Sequence, residues 1–306
     1  MPSQFPSNNV EGDLKVTGKV TAGSGAVDII NATGKIPALS STYLADLDGS
    51  NLTGITSVAS VLSKTANYTV TTGDAGVDAT ILCNPAGGAF TITLFAASGN
   101  AGRKLTIVKT TSNALAVTVD GNASETINGL ASVFLYAQWD YVTLVCDGTN
   151  WVVADHNITI SWMAYTGATQ TIATGTYTTV AFASETWDTA SAYNTSTYKF
   201  TVPAGGAGYY QIYSNFRYSA MTSGSNIDNA LYRTRSASDT AIEADWILEG
   251  YNQTAGSYDV GGGVYLLAAA DDVFIKTYQA SGSSRDIHDG QYTSLFRGHL
   301  LTPTWA

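Results

Sequence analysis

The sequence predicts an all-β protein, and three observations lead to that prediction. From residue 65 onward, short apolar runs recur about every ten residues, separated by turns rich in Gly, Asn and Asp. Between residues 65 and 156, no helical periodicity interrupts these runs. Charged residues make up only 12% of the chain, so Ser, Thr, Asn and Gly must keep its surface hydrated.

The chain divides into three predicted segments. Residues 1–64 are poor in aromatics and rich in Gly, Ser and Thr, which predicts an N-terminal β stem or anchor without a core of its own. Within this segment, four apolar residues are spaced for a short helix or for a collar between three chains: Leu52, Ile55, Val58 and Leu62. Residues 65–156 predict a small β-sandwich or barrel, and residues 157–306 form a head domain that holds most of the aromatics.

The clearest predicted strand of the head runs from residue 208 to residue 218. Its alternation predicts one core face, which carries Tyr210, Ile212, Phe216 and Tyr218. The opposite face carries Tyr209, Tyr213 and Arg217, and it is too aromatic to be merely solvated. Because Tyr and Arg are enriched where subunits meet, we expect this second face to contact a neighbouring chain.

The charge distribution argues against nucleic acid and membranes as partners. The net charge of −10 is divided evenly between the two halves of the chain, and no Lys/Arg cluster could neutralise consecutive phosphates. An anionic membrane surface would repel the chain, and no apolar run reaches 18 residues, so we expect no membrane insertion. The N-terminus also lacks the features of a secretion signal, which predicts a protein that stays in the cytoplasm or leaves it inside a larger particle.

Two cysteines, Cys83 and Cys146, lie in strand-like runs far apart in the sequence. Buried free thiols are the favoured interpretation, and a disulfide stays open. Neither cysteine belongs to a CxxC pair, so the sequence gives no support for structural zinc.

The sequence lacks the common catalytic motifs. No phosphate-binding GxxxxGK[ST] loop, HExxH helix or GxSxG elbow is present, so we predict a protein that is not an enzyme. One polar cluster could ligate calcium, through Asp286, His288 and Asp289, and the alternative is an ordinary polar loop. Asp271 and Asp272 are a second candidate, and we expect no other cofactor.

A surface glycan is the other ligand that the composition favours. A depolymerase would need paired carboxylates, and Glu185 with Asp188 or Glu243 with Asp245 supplies such pairs, as any chain with 24 acidic residues would. Glycan binding is favoured over cleavage because the sequence shows no β-helix period. The candidate aromatic platforms for sugar rings are Trp187, Tyr193, Trp246 and Tyr251.

Residues 161–301 resemble the globular head of complement component one-q and its tumour-necrosis-factor-like relatives. The matching stretches are 193–203 with the following Gly208-Tyr-Tyr, 266–275, and the closing strand 292–301, in the family's order. The sequence departs from the family at Ala270, where a Gly is usual, and at the inserted GGAG of 205–208. The resemblance implies a ten-stranded jelly roll that packs as a tight homotrimer and binds through exposed faces and loops.

The first two segments resemble parts of bacteriophage fibres. The stretches 66–74 and 142–151 are similar to small β modules of tail and head fibres, and 47–55 is similar to fibre shafts. With the missing secretion signal, this resemblance predicts an elongated trimeric virion fibre or spike. It would attach to capsid, neck or tail proteins through its N-terminal part and bind a bacterial surface glycan or protein through its head. The alternatives are a capsid head fibre with an accessory adhesion role, a secreted lectin-like protein and a glycan depolymerase.

Overall fold

The computed structural model describes residues 59–75, 78–219, 227–235, 248–249 and 258–305. Four features predicted from the sequence lie outside these residues: the stem as far as residue 58, the carboxylate pair Glu243 and Asp245, Trp246 and Tyr251. The described chain is nearly all β, which confirms the predicted fold class. Two short helical turns are the exceptions, α1 at Thr72–Ala75 and a 3₁₀ turn at Pro85–Gly87.

The middle module, residues 59–157, is built from two sheets. One sheet has the strand order β1-β3-β5-β8-β9 and the other has the order β2-β4-β6-β7. The strands are β1 Ser60–Lys64, β2 Tyr68–Thr69, β3 Asp78–Cys83, β4 Phe90–Thr93, β5 Lys104–Lys109, β6 Val117–Asp120, β7 Ser132–Leu135, β8 Tyr141–Cys146 and β9 Trp151–Asn157. Strand β1, which the sequence placed in the stem segment, pairs with β3 of this module.

The first six strands of the middle module wind like a short β-solenoid. The chain alternates between the two sheets, so β1, β3 and β5 stack in parallel, and so do β2, β4 and β6. Ser60 pairs with Ala79, whereas Asp78 pairs with Lys104, so successive rungs differ in length. These unequal rungs explain why the sequence shows no fixed period. Strands β7, β8 and β9 pair antiparallel and end the winding.

The described part of the head, within residues 158–305, contains a five-stranded sheet and a six-stranded sheet. The first head sheet has the order β13-β10-β22-β16-β19, and the second head sheet has the order β14-β15-β20-β17-β18 with β12 beside β20. Strands β11 and β21 form a separate pair. The strands are β10 Ser161–Tyr165, β11 Gln170–Ile172, β12 Thr178–Thr179, β13 Ser184–Asp188, β14 Tyr193–Asn194, β15 Lys199–Thr201, β16 Gly208–Arg217, β17 Ile227–Thr234, β18 Leu248–Glu249, β19 Tyr258–Leu267, β20 Asp272–Gln279, β21 Arg285–Ile287 and β22 Leu295–Pro303. This strand order is the predicted jelly roll.

Aromatic side chains fill the space between the two head sheets. The Trp162 ring of the first head sheet stacks on the Phe200 ring of the second, with ring centroids 3.7 Å apart. Gly298, beside Trp162 in the sheet, has no room for a side chain, because a Cβ atom would collide with the Trp162 indole. The predicted core face of β16 is confirmed, since Tyr210, Ile212 and Phe216 are buried, as is the neighbouring Tyr218.

The middle module and the head meet through side chains and loops, without sharing a sheet among the strands described here. The Tyr136 hydroxyl donates a hydrogen bond to the Ala204 carbonyl. Gly205 adopts a φ of +68°, and a Cβ atom there would lie 2.6 Å from the Phe134 ring. The inserted GGAG of 205–208 therefore contains a glycine that the contact with Phe134 requires.

Two buried charges lie at this junction. The Asp140 carboxylate accepts hydrogen bonds from the backbone N–H groups of Tyr136, Ala137 and Thr159, at 2.8–3.0 Å. The Lys109 ammonium donates to three carbonyls in the neighbouring loops, including that of Tyr136 at 2.7 Å. Burial lowers the pKa of Lys109. Each charge is thus surrounded by backbone dipoles, which offset the cost of removing it from water.

Both cysteines are buried and free, which confirms the favoured interpretation of the sequence. Burial raises the pKa of the Cys83 thiol to about 12. Within the described ranges, no helix is long and apolar enough to cross a bilayer.

Candidate binding surfaces

The outward face of the first head sheet carries a row of cross-strand partners, with side chains on four of its five strands. Trp187, Met163, Arg297, Tyr213 and Gly262 are successive cross-strand partners in this row. Paired residues of neighbouring strands project to the same side of a sheet, so these side chains lie together on one surface. The Arg297 guanidinium lies 4.8 Å from the centre of the Tyr213 ring.

This face exposes more large apolar side chains than any other described part of the protein. Five residues on it are between 43% and 55% exposed: Trp187, Tyr209, Val264, Leu266 and Leu301. Contiguous exposed apolar surface of this kind is rare on monomeric proteins and marks interaction sites.

A shallow depression of about 410 Å³ lies in the same face, lined by Trp187, Tyr213, Arg297 and His299 among others. Gly298 and the buried Trp162 also line it. The Trp162 indole N–H has no hydrogen-bond partner among the described residues. The depression is mostly apolar, and it suits a hydrophobic or aromatic group better than a charged one.

A second surface lies on the outward face of the second head sheet, and we call it the tyrosine patch: Tyr177, Asp228, Tyr232, Lys276 and Tyr278. The Tyr177 ring lies 5.2 Å from the Tyr278 ring and 6.4 Å from the Tyr232 ring. The Tyr177 hydroxyl donates to the Asp228 carboxylate at 3.4 Å. Burial, together with Asp228, raises the pKa of Tyr177, and burial raises that of Tyr232, so both hydroxyls stay protonated donors at neutral pH.

The ammonium group of Lys276 is held over two aromatic rings of this surface. It lies 4.6 Å from the Tyr232 ring centre and 5.6 Å from that of Phe274, which stacks beneath Tyr232. In the described part of the chain, no carboxylate lies within 4.0 Å of it. The neighbouring Lys199, by contrast, is paired with Asp272 at 3.5 Å.

The structure separates the aromatic residues that the sequence proposed as sugar platforms. Trp187 is exposed, but it lies on the same face as Tyr209 and Tyr213, the residues predicted to meet a neighbouring chain. The prediction for Tyr193 is wrong: only 6% of it is exposed, and its hydroxyl donates to the Phe182 carbonyl at 2.9 Å. Trp246 and Tyr251 lie outside the described residues.

The three residues predicted to bind calcium do not form a metal site within one described chain. The Asp286 carboxylate accepts a hydrogen bond from the Thr171 hydroxyl at 2.7 Å. Over the residues that the structure covers, no group of three or more His, Cys, Asp or Glu side chains could hold an ion. Calcium binding through Asp286, His288 and Asp289 stays a prediction.

Asp271 and Asp272, the second candidate for calcium binding, are also engaged in other contacts. Asp271 is buried and accepts two hydrogen bonds from Arg235, both at 2.7 Å, and one from the Ala268 N–H. Asp272 accepts a hydrogen bond from the Thr201 hydroxyl at 2.6 Å and pairs with Lys199. These contacts stabilise the β19–β20 turn and leave little room for a cation there.

Glu185 and Asp188, the described carboxylate pair suggested for glycan cleavage, lie in different environments. Asp188 accepts hydrogen bonds from the N–H groups of Ala190 and Tyr193, at 3.1 and 2.7 Å, and so shapes the turn after β13. Desolvation, with the nearby Asp188, raises the pKa of Glu185. Glu243 and Asp245 lie outside the described residues.

The sequence analysis did not identify the tyrosine patch. Its residues come from the turn before β12, from β17 and from β20, which are far apart in the chain. One signal was present, since Phe274, Lys276 and Tyr278 alternate along a single strand. The pattern shows that these three share a face, but only the strand order brings Tyr177 and Tyr232 beside them.

No protein-family model matches the sequence, and no curated protein matches it. Among solved structures, the globular domain of zebrafish complement 1qA is 17% identical, over 47% of this chain and 99% of its own, with a TM-score of 0.35. Eiger TNF from S. frugiperda is 13% identical, over 48% of this chain and 94% of its own, with a TM-score of 0.37. Murine APRIL is 12% identical, over 47% and 99%, with a TM-score of 0.35. The jelly roll of the head is assigned from its own strand order.

Proposed function

We propose that the protein is a non-enzymatic adhesin, a homotrimeric virion fibre or spike whose head binds a glycan or protein on the surface of a bacterial cell. Its N-terminal part would attach it to the particle, and the middle module would hold the head away from that attachment point.

The exposed apolar face of the first head sheet carries this proposal. Its large side chains would lose water contact when three copies pack around an axis, at roughly 25 cal/mol for each Å² of apolar surface covered. The face also presents Tyr209 and Tyr213 beside Arg297, residue types enriched at subunit interfaces. In such a trimer, Trp187 would contact a neighbouring copy rather than a receptor.

Trimerisation would explain how weak sites produce firm adhesion. Three equivalent sites on one fibre, and several fibres on one particle, raise the effective affinity without any new contact. The proposal needs no catalytic group, and Asp188, one of the carboxylates suggested for glycan cleavage, shapes the turn after β13.

The location on the particle rests on the resemblance of residues 47–55, 66–74 and 142–151 to phage fibre segments. A tail position would make the protein a receptor-binding fibre. The second candidate is a capsid head fibre with an accessory adhesion role.

The oligomeric state tests the proposal directly. Native mass spectrometry of the full chain at micromolar concentration is expected to show a trimer. Leu266→Asp, which places a charge on the apolar face, is expected to shift the protein to monomer, and Tyr292→Asp is the matched control, since Tyr292 is 85% exposed and outside that face. A folded wild-type monomer would refute the trimer.

Electron microscopy of particles labelled with antibody against residues 161–306 tests the location. Label at the tail or its base supports a receptor-binding fibre. Label over the capsid supports the head-fibre alternative, and particles without label would contradict both.

A further inference from the structure

We propose that the tyrosine patch binds an acidic oligosaccharide, with sugar rings packed against Tyr177 and Tyr278 and a sugar carboxylate paired with the Lys276 ammonium. This inference deepens the proposed adhesin function, on which it rests, by naming the site and the class of ligand.

The aromatic part of the patch suits the apolar faces of sugar rings. Tyr177 is 43% exposed, and Tyr232 and Tyr278 are half-buried, so their rings are accessible but fixed in place by contact with one another. The C–H groups of a pyranose ring pack on such rings as other apolar groups do. Because the three rings already restrain one another, binding costs little side-chain entropy.

Polar groups next to the rings can read the hydroxyl groups of a sugar. The Asp228 carboxylate accepts a hydrogen bond from Tyr177 and has further lone pairs for sugar hydroxyls. The hydroxyls of Tyr232 and Tyr278 supply donors at the rim. A few placed polar groups beside an apolar platform are typical of sites that orient a small ligand.

Lys276 selects for an acidic sugar rather than a neutral one. Its ammonium is positioned by the Tyr232 and Phe274 rings and has no carboxylate partner among the described residues. A ligand carboxylate would give Lys276 an ion pair like the one that the neighbouring Lys199 makes with Asp272.

The two head faces differ in the partner they fit. The first head sheet exposes several large side chains over a broad area, which suits a second copy of the chain. Among the described residues of the second head sheet and its adjoining turns, Tyr177 is the one exposed large apolar side chain, and 43% of it is exposed. A narrow aromatic platform with one free ammonium suits a chain of sugar rings better than a protein surface.

Calorimetric titration of the full chain with two matched probes tests the inference. The first probe is a tetrasaccharide of glucuronic acid, and the second is the same tetrasaccharide with its carboxylates reduced to hydroxymethyl groups. Wild-type protein is expected to bind the acidic probe about tenfold more tightly than the reduced one, as loss of one charge-assisted contact predicts.

Substitutions then separate the contribution of the Lys276 charge to probe affinity from the contribution of ring packing on Tyr278. Lys276→Met is expected to lower the affinity for the acidic probe to that for the reduced probe. Tyr278→Ala is expected to lower the affinity for both probes about tenfold or more, and Tyr292→Ala, a matched exposed tyrosine outside the patch, is expected to leave both unchanged. Circular dichroism of each variant checks that the fold is kept.

Equal affinity of wild-type protein for the two probes would overturn the charge assignment. Binding that survives both substitutions, or no binding at all, would overturn the site. Native mass spectra of the same samples distinguish this failure from that of the proposed function: a trimer that does not bind refutes the site alone, and a monomer that binds refutes the trimer alone.

Discussion

The middle module and the head differ in how their exposed large apolar side chains are distributed. In the middle module, the large apolar residues that stay exposed are scattered: Val61 on β1, Leu115 before β6, Trp139 before β8 and Val152 on β9. In the head, five of them share one sheet face. The middle module therefore completes its own burial within one chain, whereas the head has a face that becomes covered only when something binds to it.

The two regions also fill their cores differently. The middle module packs mainly aliphatic residues of its parallel ladders, such as Ile81, Ile92 and Ile107. The head packs stacked aromatic rings, with Trp162 against Phe200. Large flat rings leave little freedom for adjustment, so we expect the head to be more sensitive than the middle module to a small added volume.

Gly298→Ala is expected to have the largest effect, because the added Cβ atom collides with the buried Trp162 ring. We expect a loss on the order of 4 kcal/mol in the free energy of unfolding, measured by urea denaturation with circular dichroism. Gly87→Ala is the control, since a Cβ atom at Gly87 would meet nothing within 4 Å. A loss below about 1 kcal/mol at Gly298 would mean that the head core adjusts as freely as an aliphatic one.

Asp140→Ala is expected to weaken the junction by about 3 kcal/mol, since it leaves three backbone N–H groups without their acceptor. Hydrogen exchange should become faster at Tyr136, Ala137 and Thr159. Asp78→Ala, an exposed carboxylate on β3, should change stability by less than about 0.5 kcal/mol. Unchanged exchange at Thr159 in the Asp140 variant would show that the head and the middle module are coupled elsewhere.

Acid is expected to destabilise the head through Asp271. Burial alone disfavours the Asp271 carboxylate, but Arg235 and the Ala268 N–H hold its pKa below the usual range. A carboxylate with a lowered folded pKa stabilises the protein above its unfolded pKa of about 4, and this stability is lost as pH falls through the folded pKa.

The melting temperature between pH 7 and pH 2 measures this effect. Arg235→Gln should reduce the acid-induced loss and cost about 1 kcal/mol at pH 7, a modest value because Arg235 is half-exposed. Lys104→Gln, in the middle module, should leave the pH profile unchanged. A wild-type profile that stays flat below pH 4 would contradict the assignment to Asp271.

Ala270→Gly is expected to have the smallest effect, a stabilisation of up to about 1 kcal/mol. Ala270 adopts a φ of +66°, which strains any residue with a Cβ atom, whereas Gly adopts it without strain. Ala230→Gly, within β17, should instead destabilise the protein by about 1 kcal/mol. Thermal unfolding measures both, and a destabilised Ala270 variant would show that the turn tolerates its side chain without strain.

Local patterns predicted much of the head. The alternation of residues 208–218 identified the buried face of β16. Local patterns could not predict which strands pair. A parallel ladder and an antiparallel one need the same alternating residues, so the solenoid winding of the middle module was not visible in the sequence.

The candidate sites depended more heavily on pairing over long distances. The residues around Tyr193 have the composition of an exposed turn. Its side chain is nevertheless buried, because its hydroxyl donates a hydrogen bond to the Phe182 carbonyl and its ring packs against the Phe296 ring of the core. Tyr177 and Tyr278 are a hundred residues apart, and they become neighbours only because β12 pairs with β20. The sequence therefore predicted an aromatic binding surface on the head, but it did not predict which residues form that surface.

The rungs of the middle module make the length of the protein adjustable. Neighbouring strands lie about 4.8 Å apart, so one extra pair of strands inserted between β4 and β5 would lengthen the module by about that distance. The added strands would pair with the existing ladders, while β7 to β9 and the Asp140 contacts with the head stayed as they are. Insertion or loss of whole rungs would thus change the length of the middle module in steps, with no change to the surfaces of the head.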